Sequence, residues 1–270
     1  MPVALTIAGS DPTGGAGLQA DVQVFRSLGV HGAGVVTALT VQDTAKVHQV
    51  LPSFPSVVLE QLRVLLRDMR PDAVKIGMLA TDDIALNVEL ALETLDAPLP
   101  DSVARPPRVP IVIDPVLAAS DGTELIERRA WARLQDLMRR AAVATPNLPE
   151  AAALTGCDVS SEEGVQAAAT VFVSDYGAGA ALVKGGHADG PPRDLLALRQ
   201  GATVVFEWQG GERIPGGRIH GTGCALSSAI AARLAHGDEL RIAVAAARDF
   251  VRQAIARAEA FGKQARFLAY

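Results

Sequence analysis

Apolar residues fall along the chain in two alternating rhythms. Short runs that end at Gly, Asp or Pro occupy residues 3–8, 34–39, 73–78, 109–114, 141–145, 180–184, 195–198 and 203–208. Several are apolar on both faces, Ile111-Val112-Ile113 among them. That is how a strand covered on both sides reads. Between them lie segments of helical period. Leu18, Val22, Phe25 and Leu28 form one stripe, and further helices are predicted over 56–69, 82–95, 124–140, 149–154, 161–173, 222–235 and 239–261. Strand and helix alternating over most of the length predicts an α/β fold, a mostly parallel central sheet with helices on both faces. Pro98, Pro100, Pro106, Pro107 and Pro110 crowd one stretch, but the alternation continues on either side. The stretch is predicted to be a surface loop, and residues 1–270 a single domain.

Composition narrows the function classes. With 30 acidic against 25 basic residues and 4% aromatics, the chain has neither a general electrostatic reason to bind nucleic acid nor stacking platforms for single strands. No apolar run approaches the roughly 18 residues of a membrane span. The apolar start at residues 1–8 lacks a basic leader and runs into a Gly-rich turn, as a first strand does and a signal peptide does not. Two cysteines, Cys157 and Cys224, suit a reducing compartment. The expectation is a soluble cytoplasmic protein without nucleic-acid or membrane partners.

Candidate chemistry gathers where strands are predicted to end, the edge at which open α/β sheets hold ligands. The first strand runs into Gly9-Ser-Asp-Pro-Thr-Gly-Gly-Ala-Gly17. A tight turn explains some of these glycines, and close approach of backbone to a ligand explains the rest. The loop lacks the Lys-Ser/Thr of a P-loop and the third glycine of a dinucleotide fingerprint. Gln42, beyond the second strand, offers donor and acceptor together to a heterocycle, or is a solvated loop residue. Met78 is either core or a soft surface for a flat ring. Asp114 ends a strand where a carboxylate can hold Mg²⁺, accept a proton or cap a turn. Asn147, Pro149 and Glu150 read equally as a capped helix start or as a polar site. Lys184, before two glycines, suits a phosphate, and His187 reads as a polar loop residue.

The segment His220-Gly-Thr-Gly-Cys224 leads straight into a long helix, so Gly221, Thr222 and Gly223 should present unpaired N–H groups to an anion. Cys224 lies in the first turn, where thiol pKa values are lowered, unless it is a small buried packing residue. Together these features describe a site for a small heterocycle and a nucleoside triphosphate.

In this order, Ala4-Leu-Thr-Ile-Ala-Gly-Ser-Asp11, Gly14-Gly-Ala-Gly-Leu-Gln-Ala-Asp21, Lys75-Ile-Gly-Met78, Thr145-Pro-Asn-Leu-Pro-Glu150, Lys184-Gly-Gly-His187 and His220-Gly-Thr-Gly-Cys224 resemble the hydroxymethylpyrimidine/phosphomethylpyrimidine kinases of thiamine biosynthesis, within the ribokinase-like superfamily. The match is collinear from residue 3 to about 255. The resemblance implies a ribokinase-like three-layer sandwich, and ATP-dependent phosphorylation of 4-amino-5-hydroxymethyl-2-methylpyrimidine and then of its monophosphate. It implies that Gln42, Asp21, Met78 and Gly9 line the pyrimidine pocket and that Asp114 and Glu150 organise Mg²⁺. Lys184, Asn147 and Arg248 would meet ATP, and Gly221, Thr222, Gly223 and Cys224 would form the catalytic anion hole. A homodimer is expected from the resemblance alone. The chain departs from the family at Asp43, at residues 116–121, at Arg218-Ile219, at Ala225, at Arg248 (which keeps the charge of the usual Lys) and in the tail from Gly262. The alternatives are a pyridoxal (vitamin B6) kinase and a non-catalytic pyrimidine-binding protein.

Overall fold

The structure is a computed structural model that describes residues 1–96, 108–186, 192–214, 219–262 and 265–270. The Pro-rich stretch (97–107), His187 and Arg218 lie outside the described residues. In chain order the elements are β1 (Val3–Ser10), α1 (Gly17–Ser27), β2 (His31–Gln42), β3 (Val47–Pro52), α2 (Pro55–Asp68), β4 (Ala73–Ile76), α3 (Asp82–Leu92), β5 (Ile111–Ile113), α4 (Trp131–Met138), β6 (Val143–Ala144), α5 (Leu148–Thr155) and α6 (Glu162–Thr170). They continue with β7 (Ala180–Val183), β8 (Arg193–Gln200), β9 (Thr203–Gly210), β10 (Ile219–His220), α7 (Thr222–Ala235), α8 (Leu240–Ala256), β11 (Glu259–Phe261) and β12 (Ala265–Phe267).

The large sheet has the order β3-β2-β1-β4-β5-β6-β7-β8-β9. Strands β2, β1, β4, β5, β6 and β7 run parallel, and β3, β8 and β9 are antiparallel additions at the two edges. The two-residue alternation of a strand sorts side chains to opposite faces. Ile111 and Ile113 face one core with Val58, Leu62, Ile84, Val88 and Leu134 of α2, α3 and α4, whereas Val112 faces the other with Phe25, Ala229, Ile230 and Val244 of α1, α7 and α8. The mostly parallel sheet with helices on both faces, expected from the hydrophobic pattern, is thereby present.

Four local expectations are corrected. Strand β3 went unforeseen because it is an exposed edge: only Val47 is buried, so its sequence carries no alternation. The helix expected over 124–140 is confined to α4, because Gly122, at φ +90°, turns the chain so that Leu125 N–H bonds back to the Leu117 carbonyl. The helix expected over 161–173 stops at Thr170, where the coil widens through Val171–Asp175. The helix expected to reach 261 stops at Ala256, and the tail folds back as β11 and β12, with β12 alongside β10.

Candidate active site

The carboxyl ends of β1, β4, β5, β6 and β7 open on one edge, and the start of α7 closes over it. Gly221 has φ +79°, and a Cβ there would overlap the Gly15 carbonyl oxygen, so this position requires glycine on two counts. The opening glycine loop and the first turn of α7 are therefore in direct contact, 206 residues apart in sequence. Asp11 ties the loop together. Its Oδ1 accepts from Thr13 N–H (2.9 Å) and Thr13 Oγ1 (2.8 Å), and its Oδ2 accepts from Ala16 N–H (3.0 Å). That same Oδ2 is 2.7 Å from His220 Nε2. Although burial works against it, these hydrogen bonds, led by His220, hold the Asp11 carboxyl below its usual range.

Beneath this seam lie two buried ion pairs. Lys75 Nζ is 2.8 Å from Asp21 Oδ2, and neither side chain is exposed. Asp21 also accepts from Thr6 Oγ1 (2.5 Å) and Ser228 Oγ (2.6 Å). Burial pulls Lys75 down, but Asp21 and the neighbouring Cys224 and Asp114 outweigh it and hold the ammonium above its ordinary range. In the second pair Lys184 Nζ is 2.7 Å from Asp114 Oδ1, which also accepts from Thr145 Oγ1 (3.0 Å), and Ser227 Oγ is 3.3 Å from Oδ2. Lys184 Nζ also lies 3.2 Å from where a Gly223 Cβ would stand, which puts it against the first turn of α7. Burial favours a neutral Asp114, yet Lys184 and Lys75 together keep it ionised.

Glu150 adjoins this pair and forms a capping box with Asn147: Asn147 N–H donates to Glu150 Oε2 and Glu150 N–H donates to Asn147 Oδ1, each at 2.8 Å. Burial, offset by Lys184 but reinforced by the Asp114 charge, pushes Glu150 up to about 7. Two desolvated carboxyl groups that repel each other make a place where a divalent cation would be welcome. Among the described residues no three His, Cys, Asp or Glu side chains converge as a metal cage. This donor set suits Mg²⁺ that keeps its waters and arrives with nucleotide phosphates.

Several expected site residues sit differently in space. Asp21 is fully buried, and its oxygens are engaged in the network under the site. Arg248 is engaged with β8 and β9. Its Nε donates to Asp194 (2.9 Å) and its guanidinium to the Gln209 carbonyl (2.8 Å), while Asp194 accepts from Gly185 N–H (2.9 Å). Arg248 thus braces the turn after Lys184. The Asn147 side-chain amide oxygen, Oδ1, serves as a helix cap. The lowered thiol pKa expected for Cys224 is reversed: burial, reinforced by Asp114 and Asp21 and only partly opposed by Lys75, pushes it up to about 11. At neutral pH Cys224 is a thiol.

The other expected residues stand on β1, on β2 and in the loop after β4. Met78 packs on Gly9, with its sulfur 2.7 Å from where a Gly9 Cβ would stand. Gln42 lines an open cleft together with Lys46, Asp121, His220 and Ala265. Strand β12 brings Phe267 edge-on to the His220 ring (centroids 5.9 Å apart), and both rings crowd the Gly15 α-carbon. Lys75, Thr145, Ser227, Ser228 and the Asp11–His220 pair carried no assigned role from the sequence. Lys75 did leave a signal, because a lysine inside an apolar strand demands a buried anion.

An open α/β sheet with an uncapped helix start, a lysine and paired carboxyl groups at its carboxyl edge defines a small-molecule kinase of the ribokinase-like kind. A model of the family described as phosphomethylpyrimidine kinase matches residues 11–268, and the chain belongs to that family. It is 39% identical over 256 residues to a hydroxymethylpyrimidine/phosphomethylpyrimidine kinase of Staphylococcus aureus, an alignment covering 94% of this chain and 87% of that protein. Among solved structures it resembles phosphomethylpyrimidine kinase from Clostridium difficile (TM-score 0.78, 32% identity, 94% and 100% of the two chains). It also resembles an ADP complex of Bacillus subtilis pyridoxal kinase (TM-score 0.84, 31% identity, 99% and 96% of the two chains).

Proposed function

We propose that this chain transfers the γ-phosphoryl group of ATP to the hydroxymethyl group of 4-amino-5-hydroxymethyl-2-methylpyrimidine, and then a second one to the monophosphate, in thiamine biosynthesis. One observation carries the reading: the α7 turn and Lys184 meet at the same spot, flanked by the glycine loop and by Asp114 with Glu150. Phosphoryl transfer asks a protein mainly to position the reactants and stabilise charge. The N–H groups of Thr222, Gly223 and Cys224 hold the migrating group. Lys184, paired with Asp114 beside the first turn of α7, turns from its carboxylate to the nucleotide phosphates. Thr145, Ser227 and the field of Lys75 keep Asp114 ionised meanwhile. Cys224, as a neutral thiol, contributes to the anion hole and not as a resident base. Mg²⁺ would be held by Asp114 and Glu150 through its waters, and it neutralises phosphate charge when bound. On the acceptor side, Gln42 reads the aminopyrimidine edge, with Gly9 and Met78 at the base of the pocket. Asp21 and Arg248 act at one remove, through Lys75 and through Asp194.

A product-resolved assay with Mg-ATP tests this. Monophosphate followed by diphosphate is expected from the aminopyrimidine alcohol. The likeness to pyridoxal kinases supports a second reading, and efficient turnover of pyridoxal alone would establish it in place of the first. Binding without ADP release would mean a non-catalytic protein.

The partner of this chain is a second copy of itself, in the cytoplasm. Leu39 and Val41 of β2, Leu51 of β3, and Phe54 and Val57 at the start of α2 leave an apolar stripe exposed along one sheet edge, with Phe54 at 79% exposure. Sedimentation should give a dimer, and Phe54→Glu should give monomers. Among the described residues no helix is long and apolar enough to cross a membrane.

A further inference from the structure

Both peptide groups that flank Lys184 are held in place. On one side Lys184 N–H donates to the Pro146 carbonyl at 2.8 Å. On the other, the β7–β8 ladder ends at Val183 and Leu195, and the N–H of Gly185 donates to a side chain, Asp194 Oδ1, at 2.9 Å. A peptide group is planar, so a bond to the Gly185 N–H also fixes the Lys184 carbonyl. The chain passes so close to the start of β8 that a Cβ on Gly185 would overlap the Arg193 carbonyl oxygen. Asp194 is held in turn. Its Oδ2 accepts from Arg248 Nε at 2.9 Å, and Arg248 Nη2 donates to the carbonyl of Gln209, the residue opposite Asp194 in the β8–β9 pairing, at 2.8 Å. Each proton serves one acceptor: Gly185 N–H and Arg248 Nε–H go to different oxygens of one carboxylate, and Nη2 carries protons of its own. Both side chains of the ion pair are largely buried, so water competes little for these bonds.

We infer that Asp194 is a positioning residue for nucleotide binding: it passes the hold of Arg248 to the backbone at Lys184, and so fixes the point from which that ammonium leaves Asp114 for the phosphates. Arg248 has a second task in this arrangement. A bare carboxylate beside the Lys184–Gly185 peptide would oppose an incoming triphosphate, and the guanidinium cancels it. The positive charge of α8 therefore serves the nucleotide through Asp194 and not by touching it. The inference rests on the reading of Lys184 as the group that meets ATP.

Mg-ADP binding by calorimetry and steady-state kinetics test it together. Asp194→Ala should weaken Mg-ADP binding and raise KM for Mg-ATP by about fivefold, one lost hydrogen bond, with KM for the aminopyrimidine within about twofold. Asp194→Asn keeps an oxygen for the Gly185 N–H and should fall between Asp194→Ala and the parent. Arg248→Met strands the Asp194 charge and should weaken Mg-ADP binding at least as much as Asp194→Ala does. Adding Asp194→Asn to Arg248→Met removes that charge and should recover most of the loss. Unchanged Mg-ADP binding in Asp194→Ala, an equal rise in both KM values, or no recovery in the double variant would overturn the inference; the last would mean that Arg248 meets the nucleotide itself. Lys184→Met separates the two readings: if its Mg-ADP binding and its KM for Mg-ATP are unchanged, the nucleotide role of Lys184 fails, whatever the Asp194 variants do.

Discussion

The floor and the rim of this site are held together by different physics. The floor is two ion pairs, Asp21–Lys75 and Asp114–Lys184, taken out of water and hydrogen-bonded on nearly every side. Burying such charges costs several kcal/mol per ion, and only good pairing offsets that cost, so these groups have little freedom to shift. The rim is Asp11, His220, Gln42 and Phe267, joined by single hydrogen bonds and one ring contact at the edge of an open cleft. Each of those links is worth about 1 kcal/mol. A kinase that must hold a phosphoryl group rigidly and still admit a ring has use for both. Damage to the floor should cost folding or turnover, and damage to the rim should cost substrate affinity.

The largest effect is expected at the centre of the floor. Lys75→Met leaves Asp21 charged, buried and unpaired, and should lower unfolding free energy by about 3–5 kcal/mol in denaturant titrations. The double variant Lys75→Met with Asp21→Asn should recover part of it. No recovery would mean that Lys75 acts by packing alone. Next, Cys224→Ala should keep the unfolding midpoint close to that of the parent while kcat falls on the order of 10²-fold, as when one preorganised donor is removed. Near-normal turnover would remove Cys224 from the anion hole. Because its thiol stays protonated to about pH 11, alkylation of Cys224 should be slow at pH 7 and accelerate steadily through pH 10.

The smallest effect is at Glu150. Its carboxyl titrates near 7 when folded against 4.5 in its ordinary state, so the folded protein holds that proton more tightly. The group therefore contributes nothing adverse below pH 4.5, and stability is lost as pH rises from there to about 7. Glu150→Gln keeps the helix cap and removes the charge. Its gain in unfolding midpoint should be small at pH 5 and larger at pH 8. An equal difference at both values would mean that burial and the Asp114 charge do not raise the Glu150 pKa.

Much of the floor could be read from the chain because it sits on strong local patterns. Ile111-Val112-Ile113 announces a buried strand, and the next residue, Asp114, has to emerge at its rim. Gly221 before a long apolar helix announces an open N-terminus. Partners from distant elements were not legible. Ser227 and Ser228 look like ordinary small residues of an Ala-rich helix, and only the packing of α7 against β5 and α1 brings them to Asp114 and Asp21. The thiol shift of Cys224 was misjudged for the same reason: the helix start is local, but burial and the two carboxylates are not. The tail was read as continuing helix because α8 is amphipathic up to its end, and nothing local marks the return of Phe267 to Gly15.

The contrast between cradle and reader is tested most directly by comparing Gly221→Ala with Gln42→Ala under steady-state conditions with Mg-ATP and the aminopyrimidine alcohol. The account predicts that Gly221→Ala, which pushes the α7 turn off the glycine loop, lowers kcat by about 10²–10³ with little change in pyrimidine KM. Gln42→Ala should raise pyrimidine KM and leave kcat nearly intact. A Gly221→Ala enzyme with normal kcat, or two variants with the same kinetic signature, would contradict it.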